Sequence, residues 1–149
     1  MIHVDLQKLL TPLQQTLARP DKLLRAVSAS MAEETLNLIK DGYRTETDPY
    51  GTPWAPKQAQ DGRKTLSGPT GRLKTGWHKR RVDESGFLIA PSVTYAVHHQ
   101  TGTRKMPQRM QVPDAAKGLP DKWQRLLEET ALEGIAAVFD EAARKGGMK

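Results

Sequence analysis

Trp123-Gln124-Arg125-Leu126-Leu127-Glu128-Glu129-Thr130-Ala131-Leu132-Glu133-Gly134-Ile135-Ala136-Ala137-Val138-Phe139-Asp140-Glu141-Ala142 is the stretch on which the fold class turns. Trp123, Leu126, Leu127, Thr130, Ala131, Gly134, Ile135, Val138, Phe139 and Ala142 follow one another at alternating steps of three and one, a 3–4 spacing without a gap. Residues so spaced share one side of a helix with about 3.6 residues per turn, so the stretch predicts an amphipathic helix of roughly six turns. Pro120 and Asp121 suit its opening and Gly146-Gly147 its closing. The apolar stripe is expected to be core, packed against a sheet. A cofactor or partner groove is the alternative.

Working back from that helix, residues 100–118 read as loop, punctuated by Gly102, Pro107, Pro113 and Gly118. A β section precedes it. Trp77 to Val82 can form a strand, Asp83-Glu84-Ser85-Gly86 a turn, and Phe87 to Ala90 the returning strand of a hairpin. Val93 to Val97 is a third strand candidate. Further upstream, residues 44–76 carry Pro49, Gly51, Pro53, Pro56, Gly62, Gly68, Pro69, Gly71 and Gly76 and few apolar anchors. That composition predicts a long loop, mobile in the isolated subunit. Residues 21–41 predict a helix capped by Asp21 and stopped at Asp41-Gly42. Residues 5–17 predict a weaker one, which Pro12 would break or restart. The class is therefore α+β: a small antiparallel sheet of three to four strands, two or three helices packed on it, and a long excursion between helix and sheet.

With 149 residues the chain is expected to be one domain over 1–149, with a flexible tail at 146–149. Only 37% of it is hydrophobic and 27% is charged, so part of it is expected to be solvated loop or surface that a complex buries. It has no cysteine, which excludes disulfides, thiolate nucleophiles and Cys-ligated metal sites. No run approaches the ~20 apolar residues that span a bilayer, and Met1-Ile2-His3-Val4-Asp5 does not read as a signal peptide. A soluble chain made in the cytoplasm, with no membrane contact, is the expectation. Net charge is +6, and residues 57–81 alone hold eight basic residues against Asp61. Such a field attracts nucleic acid or an acidic protein surface. A solvated basic loop is the plainer alternative.

Catalytic constellations are hard to assemble. His98-His99, read as strand neighbours, point to opposite faces and cannot easily share one metal ion. His3 and His78 have no acid at ligand spacing, and no H-E-x-x-H pattern occurs. Ser67 is not in a G-x-S-x-G elbow. Gly68-Pro69-Thr70-Gly71-Arg72 lacks the Lys-Ser/Thr ending of a phosphate loop. Glu128, Glu129 and Glu133 decorate the outer face of the last helix. Trp77 among basic residues could stack on a base, but a buried Trp opening a strand is the commoner arrangement. No catalytic residue, metal ligand, cofactor or small-molecule substrate is predicted.

Four segments, taken in order, carry a resemblance. They are Asp48-Pro49-Tyr50-Gly51-Thr52-Pro53-Trp54-Ala55-Pro56-Lys57, Gly71-Arg72-Leu73, Tyr95-Ala96-Val97-His98-His99-Gln100-Thr101-Gly102 and Met106-Pro107-Gln108-Arg109. Their order resembles the virion morphogenesis, or tail-completion, family of Mu-like and related contractile-tailed bacteriophages, over about residues 20–140. The family pattern runs D-P-x-G-x-x-W/Y-x-P, then G-R-L or L-R, then Y-A-x-x-H-Q-x-G, then P-x-R. This chain departs from it after Arg109, where Met110-Gln111-Val112-Pro113-Asp114 stands in place of an apolar stretch and a glycine.

The resemblance implies a structural protein that is not an enzyme. It would complete the tail and join head to tail as a ring-forming neck component. The implied partners are copies of itself, six being the expected number, and other phage tail, neck and portal proteins. The implied location is the virion, assembled in the bacterial host cytoplasm, with the chain encoded by a phage or prophage. The residues themselves suggest interface positions. Proline stiffens an arm bearing Tyr50 and Trp54, and Arg72 and Arg109 are natural bidentate partners for carboxylates. Trp54 folding back on its own sheet is the alternative. A small basic nucleic-acid-binding protein, with DNA contacts through residues 57–81, is the runner-up, and a hydrolase with a cryptic His site a third reading.

Overall fold

The computed structural model of the chain describes residues 5–68 and 70–145. The readings made of residues 1–4, Pro69, the Gly146-Gly147 stop and the 146–149 tail lie outside the described residues. The elements are α1 (Leu6–Ala18), α2 (Pro20–Thr45), α3 (Arg72–Thr75), β1 (Trp77–Asp83), β2 (Gly86–Pro91), α4 (Ala96–Thr101) and α5 (Asp121–Lys145). The α+β class holds, but the sheet among the described residues is a two-stranded antiparallel ribbon rather than one of three or four strands.

The third strand fails because its side chains obey the wrong period. Val93, Ala96 and Gln100 are the inward-facing positions and Val97 is exposed, a spacing of three and four rather than two. After β2 the Ser92 N–H closes on the Gly76 carbonyl at 2.8 Å, and the chain turns into α4. The ribbon itself follows expectation, pairing Asp83 with Gly86 at its tip and Trp77 with Pro91 at its base, with a bulge between Lys79 and Arg81.

Pro12 does not interrupt α1. The helix α2 is longer than expected and runs through Asp41-Gly42 to Thr45. Continuing one more turn brings Tyr43 below Ile39 into the core, where both are almost wholly buried. The stop comes instead at Glu46, in the left-handed region at φ 56°. Gly42 serves a close approach: a Cβ there would stand 3.2 Å from the Thr47 carbonyl oxygen as the chain turns back.

The apolar stripe of α5 is core only in part, and not against the sheet. α5 packs on α2 and α1, while the ribbon packs on α2. A two-stranded ribbon offers little area, whereas α2 presents buried positions along most of its length, Ser28, Ala32, Thr35, Leu38, Ile39 and Tyr43. On α5, Trp123, Leu127 and Ala142 are buried, while Ile135, Val138 and Phe139 are half-buried. The main core gathers at the C-terminal half of α2, from Leu38, Ile39, Tyr43, Trp54, Leu73, Ala96, Trp123 and Leu127.

Candidate functional site

The arm over residues 48–57 is built as a turn and then an anchor. Asp48 Oδ1 accepts the Tyr50 and Thr52 N–H groups at 2.8 and 2.9 Å, and Thr47 bridges to Pro53. This side-chain turn, with Pro49 fixing one backbone angle, holds the D-P-Y-G-T-P run closed. The chain then drops inward. Trp54 is 7% exposed, its ring meets that of Tyr43 edge-on at 5.4 Å between centroids, and its Nε1–H donates to the Met110 carbonyl at 2.8 Å.

Arg109 completes the link from the other side. Only 9% exposed, it donates from Nε to the Ala55 carbonyl at 2.8 Å and from Nη2 to the Pro56 carbonyl at 3.1 Å. Its backbone N–H donates to the His99 carbonyl at 2.7 Å. Tyr50 reaches the same loop farther along. Its hydroxyl donates to the Gly118 carbonyl at 2.6 Å and accepts the Asp114 N–H at 3.1 Å, and the Lys117 ammonium lies 5.5 Å from its ring centroid.

Gln100 holds the segment that departs from the family pattern. Its Oε1 accepts the N–H groups of Gln111 and Val112 at 2.7 and 3.2 Å, and its Nε2 donates to the Val112 carbonyl at 2.8 Å. One side-chain amide thus does what a neighbouring strand would do, and residues 110–114 need no sheet. Below it, the Tyr43 hydroxyl donates to Gln111 Oε1 at 2.7 Å and accepts the Trp77 Nε1–H at 3.1 Å. Burial pushes the Tyr43 hydroxyl up to about 12, so it stays protonated and keeps its donor. Gly102 lets the loop double back, with φ +76° and Gln108 N only 3.0 Å from where a Cβ would be.

The structure therefore brings three of the four interface candidates, Tyr50, Trp54 and Arg109, into one clasp between the arm and residues 99–118. Trp54 folds into its own chain, on α2 and the 110 loop rather than on the sheet. Arg72 stands apart, exposed at the start of α3, with Leu73 beside it in the core. Sequence reasoning missed Tyr43 and Gln111 and quoted Gln100 only within a motif, without the bonds it makes, because in a single chain a glutamine reads as solvated surface. It also missed the ties at the end of α2. Glu46 Oε1 accepts the Thr65 N–H at 2.7 Å, a bond that holds its carboxyl below the usual range, and Lys64 Nζ donates to the Arg44 carbonyl at 2.7 Å. With Trp54, Thr65 and Leu73 anchored, the exposed stretch 58–63 is where the mobility expected of residues 44–76 would reside.

The two histidines lie on a helix, not a strand, and still diverge. His98 is exposed, while His99 is half-buried with its Nδ1 buried and without a hydrogen-bond partner. Burial first, then the Arg109 charge and His98, hold His99 below the usual histidine range. Among the described residues no three His, Asp or Glu side chains gather as a metal site. The basic field is partly neutralised within the chain: Lys57 and Arg63 pair with Asp61, Lys79 with Glu33 and Arg81 with Asp83.

No family model, no curated protein and no solved structure matches this chain.

Arg109→Ala is expected to lower stability by about 1.5–3 kcal/mol, since two charge-assisted bonds are lost but the freed carbonyls lie near water. Arg109→Lys, able to keep one of them, should lose less. Urea unfolding followed by tryptophan fluorescence gives both values. Equal stability in wild type and Arg109→Ala would mean that the arm is held by other contacts.

Proposed function

We propose that this chain is a non-enzymatic assembly protein of a tailed-phage particle. It acts in tail completion and head–tail joining as a ring-forming neck component located in the virion. The observation that carries the reading is the clasp. The first of the segments that carry the resemblance lies about forty residues before the third and fourth, yet Arg109 of the fourth holds both the first, at Ala55 and Pro56, and the third, at the His99 carbonyl. Trp54 of the first and Gln100 of the third are bonded to residues 110–112, just beyond the fourth. Leu73 of the remaining segment enters the same core. Motifs used in this way build a rigid loop platform, which is what a recognition surface requires.

Its mechanism would be recognition: copies pack around the particle axis, six being the expected number, and present the platform to tail, neck or portal proteins. The test is particle assembly. Cells making a phage without this chain should accumulate separate heads and tails, which the purified chain should join. Complete particles made in its absence would overturn the reading.

The nucleic-acid reading keeps one specific support, the exposed Arg72, Lys74 and Arg80, which have no acid partner among the described residues. Against it stand the four basic side chains of the 57–81 segment already paired with acids of the same chain. Tight duplex binding with a steep log-salt slope would restore it.

A further inference from the structure

A cleft of about 280 Å³ opens between the excursion, α3 and α4, lined by Lys57, Arg72, Tyr95, His99 and Arg109 among others. No carboxylate lines it among the described residues. Lys57 is paired with Asp61, and Arg109 holds the arm by Nε and Nη2, but Arg72 has no acid partner among the described residues. His99, whose buried Nδ1 is without a partner among the described residues, also lines this cleft. Tyr95, 44% exposed and edge-on to the His99 ring, gives the opening an apolar rim. A cavity with fixed positive charge and an aromatic edge suits a carboxylate carried on an apolar surface.

The chain carries such a surface on the opposite sign. Residues 126–143 hold Glu128, Glu129, Glu133, Asp140 and Glu141 and no basic residue. Glu128, Glu129, Leu132, Glu133 and Asp140 are all exposed, and their spacing puts them on one outward face of α5. Among the described residues Glu129, Glu133 and Asp140 have no ion pair. Leu132, in their midst, is 67% exposed, an apolar centre ringed by acids.

We propose that the cleft receives the acidic outer face of α5 from a second copy of this chain, with Arg72 gripping Glu129 or Glu133 and Leu132 seated on Tyr95. This rests on the reading that copies assemble with one another, and it names the contact. Cleft and helix face are different patches, so the contact is head-to-tail. Repeated around an axis it closes a ring when the rotation allows. Charge complementarity of this kind sets partner and register.

The experiment is a charge exchange on the full chain, read by sedimentation velocity at several protein concentrations. Arg72→Glu alone, and Glu129→Lys with Glu133→Lys together, are each expected to weaken self-association about tenfold or more. All these positions are exposed, and unchanged melting would exclude misfolding. Should either fail to fold, Arg72→Gln, and Glu129→Gln with Glu133→Gln together, are each expected to weaken self-association, and wild-type assembly by both would overturn the contact. Mixing the two charge-reversed proteins is expected to restore assembly, because every junction then pairs a native cleft with a native helix or a reversed cleft with a reversed helix. Variants that assemble like wild type would overturn this contact while leaving ring formation standing. So would a mixture no better than its components, or a loss of duplex DNA binding in Arg72→Glu with self-association unchanged. A wild-type chain that stays monomeric at every concentration would overturn the contact and self-assembly together.

Discussion

Leu127→Asp is expected to leave no folded protein at ordinary temperatures. Leu127 is 6% exposed and belongs to the main core with Trp123, Leu38 and Ile39. Replacing it loses about 2–3 kcal/mol of apolar burial. It also forces a carboxylate into a site with no cation, which costs several kcal/mol more or drives the group neutral. Together these approach the whole stability of an ordinary domain, about 5–15 kcal/mol. Ile135→Asp, one face of which already meets water, is expected to cost only about 1–3 kcal/mol. Soluble yield and thermal melting by circular dichroism separate the two. A folded Leu127→Asp protein melting with wild type would mean that α5 docks on something other than this core.

Trp54→Ala should lower stability by about 3–5 kcal/mol, the range for truncating a buried large aromatic. The ring stacks edge-on against Tyr43, and its nitrogen satisfies the Met110 carbonyl, so the loss combines a cavity, an aromatic pair and a buried acceptor left without its donor. For a chain of this size the melting temperature should fall by roughly 10 °C. Trp54→Phe keeps most of the apolar area and should lose about 1–2 kcal/mol, mostly through the orphaned carbonyl. Unchanged melting of Trp54→Ala, with assembly abolished, would instead make Trp54 an anchor for a partner and contradict its place in the core.

The helices α1, α2 and α5 and the hairpin were legible because each is written in a local period, whereas the short α3 and α4 were not. The 3–4 spacing of α5 and the Asp83-Glu84-Ser85-Gly86 turn need no tertiary information. What an amphipathic stripe lies against is another matter, since the same stripe fits a sheet or a helix. Here α2 offered more apolar length than a two-stranded ribbon. Val93 to Val97 misled because β-branched residues crowd it, yet burial follows Val93, Ala96 and Gln100. Gly42 read as a stop, and it is a close-contact position inside a helix that continues.

The clasp was half legible. An arm with proline, tyrosine and tryptophan announces that something must cover it, but its composition does not say whether the cover is a partner or the chain itself. Arg109 read as an interface cation because long-range pairing to backbone carbonyls leaves no mark in spacing. Gln100 stood out only as part of a motif and Gln111 not at all, since their bonds to the backbone and to Tyr43 join residues 11 or more apart through an irregular loop.

The central claim, that copies of this chain assemble as a structural ring, is tested most directly by negative-stain microscopy of the purified full chain across a range of protein concentrations. The account expects closed rings that grow more abundant with concentration and dissociate as salt is raised, since the proposed junction is charged. Single, unassociated particles at every concentration, with tight and steeply salt-dependent binding to duplex DNA, would contradict it.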